Sequence, residues 1–400
     1  MGEKPDYLIV GGGVIGLNMA LEAKRRHPER RVVVLEKERD CGLHASGRNS
    51  GVLHAGFYYT ADSLKARFCR EGNDLMTRYC QERGLRINPC GKLVVARQEA
   101  DLPVMAELLR RGAANGVELE SWSAKRAQVL EPRVRTLDKA IYSPTTASVD
   151  PKEVMRALAE DAVALGVEIR TDTALLKWRD GVAQTTRGDI GAGYLINAAG
   201  LYADRIAHGC GFGLQTAILP FKGLYLYSDE PVGAFRTHIY PVPDLANPFL
   251  GVHYTLTVDG RAKVGPTAVP AFWREHYAGL SGFRRDEFLE IIQREIGLFL
   301  RNDFGFRNLA WREMQKYRRR EMVRQAGALA TGVEDRHYRR WGPPGVRAQL
   351  VDLFHRRLET DFRYEGDRQS FHVLNAVSPG FTCAMPFGRY LFDRIDALLG

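Results

Sequence analysis

The run DYLIVGGGVIGLNMALEAKRRHPERRVVVLEK, residues 6 to 37, constrains this chain more than any other stretch. An apolar segment, Tyr7 to Val10, ends in glycines; a helix-like segment and a second apolar segment follow, and that order predicts a βαβ unit. Gly11, Gly13 and Gly16 spell G-x-G-x-x-G at the strand-to-helix turn. Gly11 permits the tight turn, Gly13 lets backbone approach a pyrophosphate, and Gly16 lets helix and strand pack closely, while Val14 and Ile15 open the helix between them. Glu36, followed by Lys37, ends the second strand twenty residues after Gly16, where a carboxylate holds a ribose hydroxyl and repels a 2′-phosphate. Strand, turn, helix and acid together predict a dinucleotide site.

The bulk properties narrow the class. At 400 residues and 45% hydrophobic content, two intertwined domains fit better than one simple core, and 26% charge with forty glycines excludes a disordered, collagen-like or coiled-coil chain. Six scattered cysteines without a CxxC pair read as reduced thiols of a cytoplasmic protein, and no metal constellation stands out. The amino terminus enters a strand at once, so no signal peptide is expected, and no apolar run is long enough to span a bilayer. Net charge is +9. Much of the excess lies in residues 301–340, with eleven Lys or Arg against five acids. A solvated helical face is the plain reading. The mixture GLFLRNDFGFRNLAWREMQKYRRR also suits an anionic membrane surface, reached peripherally from the cytoplasm, and no nucleic-acid-binding signature is present.

Further along, KLVVARQ reads as a strand and Glu99 to Asn115 as a helix. VEIRT, GVAQTT and YLINAAG read as strands, the last ending at Ala198, Ala199 and Gly200 in a second turn that can approach the same dinucleotide, with Leu175 beside it. LPFKGLYLYSD and the hairpin-like FLGVHYTLTVDGRAKVGP belong to a sheet outside the βαβ core. The expected fold is α/β: a Rossmann-like dinucleotide domain (1–85, 148–215 and 345–400) and a discontinuous α+β substrate domain (86–147 and 216–344) on a mixed or antiparallel sheet.

The segment HASGRNSGVLHAG decides between dinucleotides. A nicotinamide enzyme would continue into another strand and helix. Here backbone N–H groups of Ser46, Gly47, Asn49, Ser50 and Gly51 can line a pyrophosphate and a flavin ring, with Val52 to Gly56 along the ring edge, which favours FAD.

GGGVIG with Glu36, SGRNSGVLHAGFYYTADSLKARFC, YPVPD, FLGVHYTLTVDG, VGPTAV, GVRAQ and HVLNAVSP together resemble the L-2-hydroxyglutarate dehydrogenase/oxidase family of FAD-dependent oxidoreductases, within the D-amino-acid-oxidase-like superfamily. The resemblance runs through nearly the whole chain. Arg48 departs from the family's more frequent His, and GFTCAMPFG from its small residues and Ser. The resemblance implies oxidation of a 2-hydroxy acid, with hydride passing to flavin N5 and a base taking the hydroxyl proton. His54 and His253 are the candidate bases, with His372 a third. A small anionic hydroxy acid needs cations, for which Arg48, Lys65, Lys222 and Arg347 are candidates, and Tyr58 or Tyr59 can donate to a carboxylate. Ser378, Pro379 and Gly380, continuing into Phe381 and Thr382, start a helix whose positive end can face the flavin. Quinone, another carrier or oxygen would take the electrons. The competing readings are an amine or amino-acid oxidase of the same superfamily and a flavin-binding protein without this activity.

Overall fold

The computed structural model of the protein describes residues 4–245 and 251–400; Met1 to Glu3 of the expected amino terminus, and Phe249 and Leu250 of the hairpin motif, lie outside the described residues. The βαβ unit forms as strand Tyr7–Val10, helix Val14–Arg26 and strand Val32–Leu35. Both strands are apolar at every position and wholly buried, the pattern of a parallel sheet covered on both faces. The six-stranded sheet runs, edge to edge, Arg363–Gly366, Ser370–Asn375, Tyr194–Asn197, Tyr7–Val10, Val32–Leu35 and Glu168–Arg170. All neighbours are parallel except the first pair. Helices Val14–Arg26, Leu64–Glu82 and Gly380–Leu399 pack together in its main core, with Phe68, Met76, Phe387 and Leu391 buried between them.

The second body is an eight-stranded mixed sheet. His253–Leu256 and Ala262–Gly265 form the expected antiparallel hairpin, and Lys92–Val95 lies parallel to His238–Pro241 within an otherwise antiparallel array. Thr216–Gly223 pairs along its whole length with Gly345–Asp352 in a separate four-stranded sheet. The sequence reading put those two strands on opposite sides of a domain boundary; eight consecutive paired residues make them one unit. Val52–Leu53 likewise pairs with Ala147–Val149, which also pairs with Ile87–Asn88. These crossings place the HASGRNSG segment between the two bodies.

Candidate active site

One cavity of about 910 Å³ runs from the glycine turn to the second sheet. Helix Val14–Arg26 points its amino-terminal end into it. That first turn has no acidic residue and the last has Lys24, Arg25 and Arg26, so the helix dipole is left free to meet an anion. Gly16 is required by packing: a Cβ there would lie 1.9 Å from the Gly11 carbonyl oxygen. Gly11, at φ +110, passes so close to the Ala198 carbonyl that a Cβ would come within 2.5 Å of it. The two small-residue turns thus form one cradle. Glu36 is nearly buried at its edge, accepting hydrogen bonds from the Gly12 amide (2.9 Å) and the Glu38 amide (3.0 Å). A carboxylate has about four acceptor sites, so two remain for a diol.

Gly11, Gly13, Val14, Ile15, Glu36, Lys37, Ser46, Asn49, Ser50, Val52, Leu175, Ala199, Gly200 and Ser378 to Thr382 all line the cavity. Gly16, Gly47 and Gly51 do not. The Gly47 amide donates to the His44 carbonyl and the Gly51 amide to Asn49 Oδ1, so both are spent on shaping the loop. Ser46 contributes its hydroxyl, which accepts the Val14 amide at 2.9 Å. Lys37 Nζ bridges Glu38 and Glu275 at 2.5 Å each. Those carboxylates and His44 converge closely enough to hold a cation, and the Lys37 ammonium already stands between the two carboxylates, offsetting one of their two charges. The helix Gly380–Leu399 starts with neither a side-chain cap nor an acidic residue, leaving its amide end open to the cavity.

At the far end stand His54 and His253. His54 is fixed through its backbone: its amide donates to Thr382 Oγ1 (3.2 Å), and its carbonyl accepts from Asn73 Nδ2 and Cys69 Sγ (3.3 Å each). Its ring has no hydrogen-bond partner among the described residues, and burial followed by the charge of Lys92 pushes it down to about 3. His253 Nδ1 lies 2.8 Å from the Gly251 carbonyl oxygen, which can only accept. The proton is therefore on Nδ1, and the Nε2 lone pair meets no donor among the described residues. Burial, offset in part by that hydrogen bond, pushes His253 down to about 3. Tyr240 stacks on its ring, 3.7 Å between centroids.

Arg347 shares the cavity, donating to the Thr267 carbonyl at 3.0 Å; burial presses its guanidinium pKa downward. Arg48 also lines it, but its guanidinium bonds the Leu43 and Pro344 carbonyls and lies over Tyr277. Lys65, Lys222, Tyr58, Tyr59 and His372 do not line it. Lys65 sits over the rings of Tyr59 and Phe362, with burial pulling it down to about 8. His372 is buried between Asn197 and Ser370. Sequence reasoning missed Asn73, Tyr240 and Thr267, whose roles depend on distant partners.

Residues 6–394 match the family described as FAD dependent oxidoreductase. The chain belongs to that family. Its relatives include the L-2-hydroxyglutarate dehydrogenase of Escherichia coli O17:K52:H18, 36% identical over 98% of this chain and 94% of that protein. The mitochondrial L-2-hydroxyglutarate dehydrogenase of Homo sapiens is 34% identical over 98% and 88%. Among solved structures, the L-alpha-glycerophosphate oxidase of Mycoplasma pneumoniae with FAD bound superposes with TM-score 0.76 at 22% identity, covering 99% of this chain and 95% of that one, a likeness of fold. FAD is the family's cofactor, and the paired glycine turns with Glu36 fit it.

Proposed function

We propose that this protein oxidises L-2-hydroxyglutarate to 2-oxoglutarate, as the names of its curated relatives indicate for them. The reaction removes two electrons and two protons; bound FAD supplies the acceptor for the α-hydrogen and its electron pair. The observation that carries the reading is the free Nε2 of His253, held unprotonated opposite the dinucleotide cradle and beside Arg347 in one cavity. An unprotonated imidazole can take the hydroxyl proton, and His54 is the second group on that wall able to do so. Arg347 can offer the substrate carboxylate two parallel N–H donors.

The expected test is anaerobic loss of flavin absorbance on mixing with L-2-hydroxyglutarate, compared with its D enantiomer, L-malate, L-lactate and L-glutamate. Saturable bleaching by L-2-hydroxyglutarate supports the reading. Bleaching by L-glutamate in its place would make the enzyme an amino-acid oxidase, and none by any acid would make it a flavoprotein without this activity.

For the acceptor, the favoured reading is a carrier such as quinone, reached by docking on an anionic membrane surface. No helix among the described residues is long and apolar enough to cross a membrane. Helix Arg285–Arg301 instead exposes Leu289, Ile296, Phe299 and Leu300, and helix Phe306–Gln315 exposes Trp311 and Met314. Arg312, Arg318 and Arg320 are exposed alongside them. Five of the eleven cations of 301–340 are ion-paired within the chain, which weakens the charge contribution relative to the apolar one. Co-sedimentation with phosphatidylglycerol vesicles, lost in Trp311→Asp, is the expected outcome; equal recovery with and without vesicles would remove the membrane from this reading.

A further inference from the structure

Behind the two cavity imidazoles stands a cation with no hydrogen-bond partner among the described residues. Lys92 opens strand Lys92–Val95 and has no exposed surface. Its Nζ lies 4.6 Å from the ring centre of Phe57, 4.8 Å from Tyr58 and 5.0 Å from Tyr240, and no acceptor among the described residues meets it. Cation–π contact returns part of the desolvation cost, but an ammonium with no hydrogen bond is an expensive core residue, and an apolar side chain of similar volume would be more stable there. A strand that needed only packing would not keep it.

Its surroundings give it a use. The titratable groups facing it are His54 and Tyr58 from the segment after the loop, Cys69 from helix Leu64–Glu82, His238 and Tyr240 from the neighbouring strand, and His253 one strand further. None is a carboxylate. The field of the ammonium therefore reaches the cavity uncompensated, through Tyr240 stacked on His253 and through the segment that carries His54.

We propose that Lys92 is a positioning residue for the oxidation: its buried charge makes the wall behind His54 and His253 electropositive, drawing the hydroxy-acid anion in against the two imidazoles that receive the hydroxyl proton. The proposal rests on the reading of function above. Burial also pulls the Lys92 ammonium down to about 7, so this charge is present below neutrality and is lost above it.

The test is the pH profile of kcat/KM for reduction of the bound flavin by L-2-hydroxyglutarate, in wild type, Lys92→Met and Lys92→Arg. Wild type should lose efficiency as pH rises through about 7. Lys92→Met should be about tenfold less efficient below that point, mainly through KM, and should lack the ionisation, while keeping its flavin and melting no lower than wild type. Lys92→Arg should keep efficiency above neutrality, because its charge does not titrate there. A Lys92→Met profile superimposable on wild type would overturn the proposal; so would an Arg variant that falls as wild type does, and that comparison stands if the Met variant does not fold. If wild type is not reduced by this acid at all, the functional reading fails separately. The charge is then read by NMR of 13Cε-labelled lysine in the flavin-loaded protein: a resonance absent from Lys92→Met and titrating near 7 upholds the turnover of charge, and one titrating near the ordinary value of about 10.4 refutes it.

Discussion

His253→Asn separates the titration of that imidazole from its other contacts. An Asn side-chain N–H can still donate to the Gly251 carbonyl that His253 Nδ1 now bonds at 2.8 Å, but it does not titrate. In the fold His253 stays unprotonated down to about 3, whereas in the unfolded chain it takes a proton below about 6.5. The unfolded state thus binds more protons between those values, so wild-type stability contributed at this site is intact above about 6.5 and falls as pH drops toward the folded value. At pH about 5 the unfolded chain is about 1.5 units below its own pKa, which at about 1.4 kcal/mol per unit makes a loss of about 2 kcal/mol. Because folded values of 3 and 4 give nearly the same result at that pH, the magnitude is insensitive to the depth of the shift. Urea unfolding of the flavin-saturated proteins at pH about 7.5 and about 5 should therefore show wild type losing about 2 kcal/mol more than His253→Asn. Equal losses would mean that His253 titrates in the fold as it does in water, and the argument for an unprotonated base there would fail. The same variant should reduce its flavin about 10²-fold more slowly if His253 is the base.

Three further outcomes follow from packing. Gly16→Ala drives a Cβ into the Gly11 carbonyl, and the purified protein should lose most of its flavin, read as visible absorbance per unit of protein. Asp204→Ala removes the carboxylate that accepts Arg274 Nη1 at 2.7 Å, both residues being fully buried; with the Leu201 carbonyl and, at 3.5 Å, the Glu290 carboxylate left to it, denaturant unfolding should show a loss of about 3 kcal/mol. Asn73→Leu removes the amide donor from the Leu53, His54 and Thr145 carbonyls, leaving the Cys69 thiol on His54, and should slow flavin reduction about tenfold or more by loosening His54, with flavin content unchanged.

The dinucleotide cradle was legible because its requirements are local. Gly16 must be glycine because of the Gly11 carbonyl one turn before it, Gly11 has a φ of +110 that the tight turn itself requires, and Glu36 follows at a spacing set by one helix and one strand. The loop was legible as cavity-lining but not in detail. Which amides face inward depends on turns such as Gly51 to Asn49, so Gly47 and Gly51 proved to be scaffold. Tyr58 or Tyr59 was expected to donate to a substrate carboxylate; neither lines the cavity, Tyr58 lying beneath Lys92 and Tyr59 beneath Lys65. Lys92 itself was read only as the start of a strand. Its cage is drawn from residues 57, 58 and 240, and the parallel pairing that brings Tyr240 close leaves no trace in the local pattern.

Strand order has a consequence for how the enzyme is made. Tyr7–Val10 finds its second neighbour only in Tyr194–Asn197, and that strand finds its own only in Ser370–Asn375. Pairings this distant along the chain close slowly. A growing polypeptide therefore carries its glycine turn long before it has a complete pocket, and FAD can be captured only late in biogenesis. Because FAD binds the completed fold and not the open chain, it stabilises the folded state by mass action, and flavin supplied during expression should raise the yield of folded protein.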